Sequence, residues 1–367
     1  MRRVVYRKLE RGAGASSAPA LSELLLSALL GFKEETASSP LASGDEERLR
    51  QALVKEIRRR THGDLLAAKQ QSERLLQRLL AEGWLERRGQ AARAQFLLSP
   101  MLLRALQLKA LRRLLAAPPP REPGAWPLAG PKGSYQPHGA VEKRRWGERA
   151  RLDASATLKA ALRHGLSELR VADLRVRRGE GGKRTALALL LDCSHSMVLY
   201  GEDRFTPAKL ATLALSALLR MRGGLLRVFC IHDDAEVISE RRLPFVGAAP
   251  SHTNTAAALE LAASWLRRNA ADERQAVLIS DGHPTAVRLA DGGLYRNAWG
   301  FDEVIRRETL ARAAALRRVG ATLTVYLLAD EERALRFSRQ LARVARGRLQ
   351  RVPAARLGGL LLRLGRG

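Results

Sequence analysis

The chain has 367 residues, which predicts two or three domains, and 46% of them are hydrophobic, enough for a sizeable core. Its formal net charge is +27, and it contains neither an apolar run long enough to cross a bilayer nor enough cysteines for a disulfide framework. The first residues, Met1-Arg-Arg-Val-Val-Tyr-Arg-Lys, carry charges where a signal peptide has an apolar core. We therefore expect a cytoplasmic protein that does not cross a membrane.

The positive charge has two interpretations. Of the 64 basic residues, 54 are arginines and ten are lysines, and they are scattered along every segment instead of forming one block. Together with the many alanines and leucines, this composition is typical of a GC-rich genome, and we interpret the surface as basic by composition. The alternative is an acidic partner such as RNA or DNA.

Residues 1–116 are predicted to form an α-helical module. Leucines repeat at helical spacing after Ala20, and Asp45 can cap a second helix. A third helix leads into Glu82-Gly-Trp-Leu-Glu-Arg-Arg-Gly, an order that resembles the end of a winged helix-turn-helix. Because many helix-to-hairpin turns share that order, a helical packing module is the favoured interpretation.

Residues 117–150 are rich in proline and glycine and are predicted to be a linker. The third region, 151–367, begins with a predicted helix over 152–169 and an edge strand over 173–178. Its core, 185–352, is predicted to be a compact domain.

Within this core, apolar strands alternate with amphipathic helices. The predicted elements are strand 186–191, a helix capped by Thr206 with Pro207 first, strand 225–231, a short strand near Val237, helix 255–266, strand 276–280, helix 302–318, strand 322–328 and helix 331–346. Wholly apolar strands are typical of parallel strands covered on both faces. The alternation predicts an α/β fold with a doubly wound, mostly parallel, Rossmann-like sheet.

Small oxygen-bearing residues follow the strands at the carboxyl edge of this predicted sheet. Asp192-Cys-Ser-His-Ser comes after the first strand, Thr253 precedes the helix after the third, and Ser280-Asp-Gly follows the fourth. Ligands of such sheets bind outside the carboxyl ends of the strands. Two carboxylates and several hydroxyls make a hard oxygen cage suited to Mg²⁺ or Mn²⁺. The predicted metal ligands are Asp192, Ser194, Ser196, Thr253 and Asp281.

The pattern Asp192-x-Ser194-x-Ser196, with Thr253 and with Asp281 in a Ser-Asp-Gly turn, resembles the metal-ion-dependent adhesion site of von Willebrand factor A domains. The resemblance covers roughly half of the chain, in matching order and between matching strands. Within that family, Arg204-Phe-Thr-Pro-Ala-Lys, the turn Asp281-Gly-His-Pro-Thr-Ala and the long N-terminal helical region resemble the bacterial cytosolic group that includes the CoxE-like proteins.

This resemblance implies an adaptor or co-chaperone with no catalysis of its own. Proteins of that group are usually paired with MoxR-type AAA+ ATPases, and they resemble the D subunit of magnesium chelatase. The resemblance also implies that Ser194 and Ser196 ligate directly, while Thr253 and Asp281 alternate between direct and water-mediated contact. One position on the ion would then stay open for a Glu or Asp of the protein partner.

The sequence departs from the family pattern at two histidines. His252 stands where a glycine commonly precedes the first threonine of the third loop, and His283 stands where we expect an acidic residue. Either change can alter the choice of metal or partner, but neither removes a ligand. We expect His195 and His283 to face solvent beside the ligands.

Other sites are poorly supported by the residues. No G-x-S-x-G elbow presents a nucleophile, and no G-x-x-x-x-G-K-[ST] loop is present to bind ATP. Trp299 and Phe301 follow Asp281 in a long loop, where they could form a partner surface or cover the sheet edge.

Two alternative functions remain. One is a nucleic-acid-binding protein that uses the basic N-terminal helical region. Salt would weaken such binding steeply, whereas a metal-dependent contact would respond to chelator. The other is the non-ATPase subunit of a magnesium-chelatase-like complex, which shares the same metal site.

Overall fold

The computed structural model describes residues 18–30, 45–62, 64–89, 95–116, 141–143, 151–152, 160, 173, 175–177, 184–199, 202–221, 223–297, 299 and 302–364. Within these ranges, no helix combines the length and the apolar character needed to cross a bilayer.

The N-terminal region is helical, with a hairpin inserted before its last helix. Its elements are α1 (Ala18–Leu30), α2 (Asp45–Thr61), α3 (Leu65–Ala81), β1 (Leu85–Arg88), β2 (Gln95–Leu98) and α4 (Pro100–Ala116). Asp64 begins α3 as its cap, because its carboxylate accepts hydrogen bonds from the first two helical amides. The predicted order of helix and hairpin is confirmed, since β1 and β2 pair antiparallel directly after α3. The likeness to a winged helix stays a prediction.

A small antiparallel sheet follows, made of β3 (Val141–Lys143), β4 (Arg151–Leu152) and β5 (Arg175–Arg177). The predicted edge strand is wrong, because β5 is the central strand of the order β3-β5-β4. The predicted start of the helix over 152–169 is also wrong, because Leu152 lies in β4; Ala160 is helical, and the other residues of that range lie outside the described residues. The partner strand β3 falls inside the proline- and glycine-rich stretch predicted to be a linker, where composition gave no strand signal.

The remaining chain alternates strands with helices, as predicted. Its elements are β6 (Thr185–Asp192), a 3-10 turn (His195–Val198), α5 (Phe205–Met221), β7 (Leu225–Ile231), β8 (Ala235–Ile238), a second 3-10 turn (Leu243–Phe245), α6 (Thr255–Arg268), β9 (Glu273–Ser280), β10 (Ala286–Arg288), β11 (Leu294–Arg296), α7 (Glu303–Arg318), β12 (Ala321–Leu327), α8 (Glu332–Val344), β13 (Arg348–Arg351) and α9 (Leu357–Leu364).

Six of these strands form the main sheet, in the order β13-β12-β9-β6-β7-β8. All neighbouring pairs are parallel except β7 and β8, which are antiparallel. The chain moves from β6 to β7 on one side and returns to β9 on the other. Strand β6 is therefore the point where the winding direction reverses, and ligands of such sheets bind there.

Helices cover both faces of the sheet, which confirms the predicted α/β class. One face of β6, with Leu187 and Leu189, shares a core with α5, α9 and the N-terminal helices. The other face, with Ala188 and Leu190, packs against α6, α7 and α8. Because β6 is buried on both faces, its sequence is an unbroken apolar run.

The start of α5 differs from the prediction. The helix begins at Phe205, and Asp203 caps it by accepting hydrogen bonds from the Thr206 amide at 2.9 Å and from the Thr206 hydroxyl at 2.7 Å. The Thr206 hydroxyl lies 3.2 Å from the carbonyl of Leu30, the last residue of α1. Thr206 therefore joins the two helix ends and is not itself the cap.

Buried polar contacts fasten the N-terminal region to the main sheet. Asp45, at the start of α2, is fully buried and forms an ion pair with Arg242, which precedes the second 3-10 turn. The same carboxylate accepts a 2.7 Å hydrogen bond from the Phe96 amide in β2. Next to Arg242, the side chain of Arg241 donates a hydrogen bond to the Leu98 carbonyl at 2.6 Å. The hairpin and α2 are thus fixed to the segment after β8.

A buried lysine makes a second connection. The amine of Lys209 on α5 donates to the carbonyls of Leu29 in α1 and of Val246, at 2.5 and 2.7 Å. Burial lowers the pKa of Lys209 well below its usual value. Its contact satisfies a carbonyl in the last turn of α1 that has no partner within its own helix.

Candidate metal centre

Four of the five predicted ligands lie together where the central strands end. Asp192 is the last residue of β6, and Asp281 directly follows Ser280, the last residue of β9. Because β6 and β9 are parallel neighbours, their carboxyl ends meet at the same edge of the sheet. Ser194 and Ser196 extend from the loop after β6 toward the same place.

The carboxylate of Asp192 is held on both oxygens. Its Oδ1 accepts hydrogen bonds from the Ser194 amide at 3.0 Å and from the Ser194 hydroxyl at 2.6 Å. Its Oδ2 accepts from the Ser280 hydroxyl at 2.6 Å. Asp192 is completely buried, so these three donors replace the water that an exposed carboxylate would bind.

A chain of hydrogen bonds leads from Asp192 through Ser194 to Ser196. The hydroxyls of Ser194 and Ser196 lie 3.0 Å apart, and the Ser196 hydroxyl helps to lower the pKa of Asp281. Asp281 and Ser194 are buried, while Ser196 is half-buried and His195 beside it is exposed. The cluster is therefore open to solvent on the side of the loop after β6.

Gly282 shapes the turn that carries Asp281. Its φ angle is +82°, a left-handed conformation that favours glycine, and its amide donates to the Ser280 hydroxyl at 2.9 Å. A Cβ atom at this position would lie 2.6 Å from Leu327 Cδ1. The Ser-Asp-Gly order thus follows from backbone geometry as well as from side-chain chemistry.

Thr253, the fifth predicted ligand, is placed beside the cluster by its backbone. Its amide donates to the Thr285 hydroxyl at 2.9 Å, and its carbonyl accepts from the Thr285 amide at 3.0 Å. The loop that carries it also touches the first loop, because the His195 amide lies 3.5 Å from the Ser251 carbonyl. Thr253 is 2% exposed.

The prediction that His283 faces solvent is wrong. Its side chain is 24% exposed, its Nε2 lies 2.6 Å from a carboxylate oxygen of Glu331, and its Nδ1 lies 3.6 Å from Asp281 Oδ1. The imidazole therefore bridges Asp281 to the residue that precedes α8. His195 is exposed, as predicted.

The charges of the cluster are unevenly balanced. Burial and then the negative charge of Asp281 raise the pKa of Asp192 to about 7. Burial would also raise the pKa of Asp281, but the hydrogen bond and charge of His283, together with the Ser196 hydroxyl, hold it below its usual value. Burial opposes the charged form of His283, yet Asp281 and Glu331 raise its pKa to about 9. One imidazolium thus lies between the buried carboxylate of Asp281 and the half-exposed carboxylate of Glu331.

The donors present fit a small, hard divalent cation. In the part of the chain that the structure describes, no three His, Cys, Asp or Glu side chains are grouped to hold a metal. Hydroxyl oxygens must therefore complete any centre here, and Ser194 and Ser196 lie beside the two carboxylates. An all-oxygen set is the one that Mg²⁺ and Mn²⁺ prefer. Binding of either ion stays a prediction.

Trp299 lies exposed beside this edge. Its side chain is 93% accessible, and its amide donates to the Asn297 side chain at 3.0 Å. The Asn297 amide in turn donates to the carbonyl of Thr285, the residue that positions Thr253. Of the two interpretations of this tryptophan, exposure is confirmed and burial as a cover is wrong. Phe301 lies outside the described residues.

Three residues of the site have roles that the sequence did not predict. Ser280 holds Asp192, Thr285 positions Thr253, and Glu331 binds His283. The position of Ser280 at the end of a strand next to β6 was a usable signal. No sequence pattern pointed to Glu331, which is 48 residues from His283.

Residues 185–363 match a family model described as Rv0959-like protein, vWA domain. Curated relatives include the uncharacterized protein Rv0959 of Mycobacterium tuberculosis and the uncharacterized protein Mb0984 of Mycobacterium bovis, each 30% identical over 325 residues. These alignments cover 85% of this chain but 47% of either relative, so the chain spans about half the length of the curated relatives that it matches.

Solved structures to which part of the chain is similar include the vWF domain of the type V pili tip protein Mfa5 from Porphyromonas gingivalis. It is 11% identical, with a TM-score of 0.40, over 50% of this chain and 94% of that one. A von Willebrand factor type A structure from Catenulispora acidiphila is 14% identical, with a TM-score of 0.37, over 50% of this chain and 42% of that one.

Proposed function

Because this chain is a von Willebrand factor A domain protein, with its A domain at residues 185–363, we propose that it is a metal-dependent protein-binding adaptor. In this proposal it is a cytoplasmic, non-catalytic protein of the CoxE-like kind. It links a MoxR-type AAA+ ATPase to a client in protein remodelling or metal-centre assembly.

The observation that carries this proposal is the cluster of Asp192, Ser194, Ser196 and Asp281, in which both carboxylates are buried and hydrogen bonds join Asp192, Ser194 and Ser196. Two buried carboxylates repel each other unless a positive charge lies between them. These four residues and Thr253 would hold Mg²⁺ or Mn²⁺. When bound, the ion would supply an electron-poor acceptor for a carboxylate of the partner protein.

The surroundings of the site also suit a protein partner. The side of the cluster next to the half-buried Ser196 is open to solvent. Trp299 stands exposed on a backbone that Asn297 and Thr285 hold in place. Exposed tryptophans next to a polar site are typical of the few residues that supply most of the binding energy at an interface.

We expect Thr253→Ala to weaken binding of the AAA+ partner about tenfold or more, while Mg²⁺ binding falls much less. The threonine is one hydroxyl among several oxygen donors, and its role by resemblance to the family is in the partner-bound arrangement. The measurement is a pull-down of a MoxR-type ATPase from the same organism, with Mg²⁺ and with EDTA. Capture should be lost in EDTA for every variant.

Ser251→Ala is the matched control, because it removes a hydroxyl from the same loop two residues away. Its capture should equal that of the wild type. Undiminished capture of the ATPase by the wild type in EDTA would show that the A domain binds through another surface.

We expect Trp299→Ala to lower the affinity for the same partner at least tenfold without changing Mg²⁺ affinity. Truncating a central aromatic residue at an interface commonly costs about 2 kcal/mol or more. Biolayer interferometry would measure the partner, and calorimetry would measure the ion. Equal partner affinity for wild type and Trp299→Ala would remove this tryptophan from the interface and leave the metal proposal standing.

A further inference from the structure

The outer face of α8 carries a row of exposed arginines, which we call the arginine stripe. Arg333, Arg336, Arg339, Arg343 and Arg346 are all exposed, while Phe337 and Leu341 on the opposite face are buried. At 1.5 Å per residue, the Cα atoms of Arg333 and Arg343 are about 15 Å apart along the helix axis. Five like charges thus lie along one side of one helix and its end.

These arginines have no acidic partners in the described residues. Nearby arginines do: Arg306 on α7 pairs with Glu303 at 2.7 Å, and Arg351 pairs with Asp330 at 3.4 Å. The one acidic residue of α8, Glu332, lies in its first turn, and Glu331 just before the helix binds His283. The arginine stripe is therefore an uncompensated positive surface, unlike most of the arginines on α2.

The helix dipole explains only part of this arrangement. Cations stabilise the last turn of a helix, and the effect falls off within that turn. Arg343 is in the last turn of α8 and Arg346 follows it, but Arg333 lies at the opposite end, where the dipole disfavours a cation. Burial of the opposite face restricts the charged residues of α8 to its outer face, but it does not require that nearly all of them be arginines.

A cleft adjoins the start of the stripe. Arg306, Arg333, Arg336, Phe337 and Gln340 line a cavity of about 480 Å³ between α7 and α8. The Arg306 guanidinium is held there by Glu303 and by the Gln340 side chain at 3.3 Å. Guanidinium groups suit phosphate because their planar N–H donors match its oxygens two at a time.

The composition of this surface favours nucleic acid over an acidic protein. Protein interfaces depend on apolar or aromatic residues at their centre. The large exposed hydrophobic side chains of the described residues are Leu65, Leu66, Met101, Leu115, Met221, Val237 and Trp299, and none of them lies on α7 or α8. Phosphate contacts from Arg and Lys supply most of the non-specific affinity for nucleic acid without any apolar anchor.

We infer that the arginine stripe and its cleft bind the phosphate backbone of nucleic acid, without reading base sequence. This surface differs from the basic N-terminal helices considered above, and it uses neither the metal cluster nor Trp299. Binding there is independent of divalent metal, so it stands or falls separately from the adaptor function.

The test measures binding of the full chain to a fluorescein-labelled 20-base-pair DNA by anisotropy, in EDTA, between 50 and 200 mM salt. We compare the wild type with the triple variant Arg333→Ala, Arg336→Ala and Arg343→Ala. The matched control is Arg104→Ala, Arg112→Ala and Arg113→Ala, which removes three exposed arginines from α4. Far-UV circular dichroism and melting temperature establish that each variant is folded.

We expect the stripe variant to lose at least tenfold in affinity at 100 mM salt, and the control to lose less than about threefold. Each duplex phosphate contact adds about 0.9 to the slope of log affinity against log salt, so the slope should fall by about 2 to 3. Equal losses in the two variants would overturn the inference, because net charge alone would then explain binding. If polyglutamate competed as well as unlabelled DNA at the same charge concentration, the arginine stripe would be a site for acidic protein segments. That result would also overturn the inference.

Discussion

Asp192→Ala should weaken Mg²⁺ binding by about two orders of magnitude or more, because affinity for a hard cation depends on the number of charged oxygen ligands. The substitution removes one of only two carboxylates at the site. Asp192 also anchors the Ser194 and Ser280 hydroxyls at 2.6 Å each, so its loss frees the remaining donors to turn away. Isothermal calorimetry with Mg²⁺ and with Mn²⁺ measures the change.

Two further variants separate charge from shape. Asp192→Asn keeps an oxygen acceptor of the same size but removes the charge, and it should lose nearly as much affinity as Asp192→Ala. Glu202→Ala removes an exposed carboxylate ten residues away that pairs with Arg204, and it should bind Mg²⁺ like the wild type. The same Mg²⁺ affinity in wild type and Asp192→Ala would end the metal assignment.

Asp45→Ala should lower the free energy of unfolding by about 3–5 kcal/mol, the usual cost of removing one partner from a buried ion pair. Arg242 is 4% exposed and would be left in the interior without its counter-charge. The Phe96 amide would also lose its acceptor. Urea denaturation followed by far-UV circular dichroism measures the change.

Glu86→Ala is the matched control for this prediction. It removes the ion pair between Arg241 and Glu86, which joins the same two parts of the molecule but is partly exposed. Solvent screening limits such a pair to about 0–1 kcal/mol. Similar small losses in both variants would mean that the buried pair does not stabilise the junction.

The main sheet was predictable because its signals are local. An unbroken apolar run such as Ala186 to Leu191, too short for a typical helix, is characteristic of a strand buried on both faces, and helices α6, α7 and α8 carry clear apolar stripes. The order of small oxygen-bearing residues after successive strands then placed the candidate site. Parallel topology converts distant sequence positions into one sheet edge.

What the sequence did not predict depends on contacts between distant residues. The pairing of β3 with β5 needs a partner strand inside a stretch whose composition resembles a linker. The bridge from His283 to Glu331, and the ion pair of Asp45 with Arg242, each join residues without any fixed spacing. The capping of α5 by Asp203 was missed because Thr206-Pro207 also satisfies the usual pattern of a helix start.

The shared core of the N-terminal helices and α5 has a consequence for folding. Asp45 and Arg242 are 197 residues apart in sequence, so their contact closes a very long loop, and such non-local contacts slow folding. During synthesis the N-terminal helices leave the ribosome first, but Leu26 and Leu53 complete their packing only after α5 and the segment after β8 have been made. The family match begins at residue 185, whereas the hydrophobic core that contains α5 also includes residues of α1.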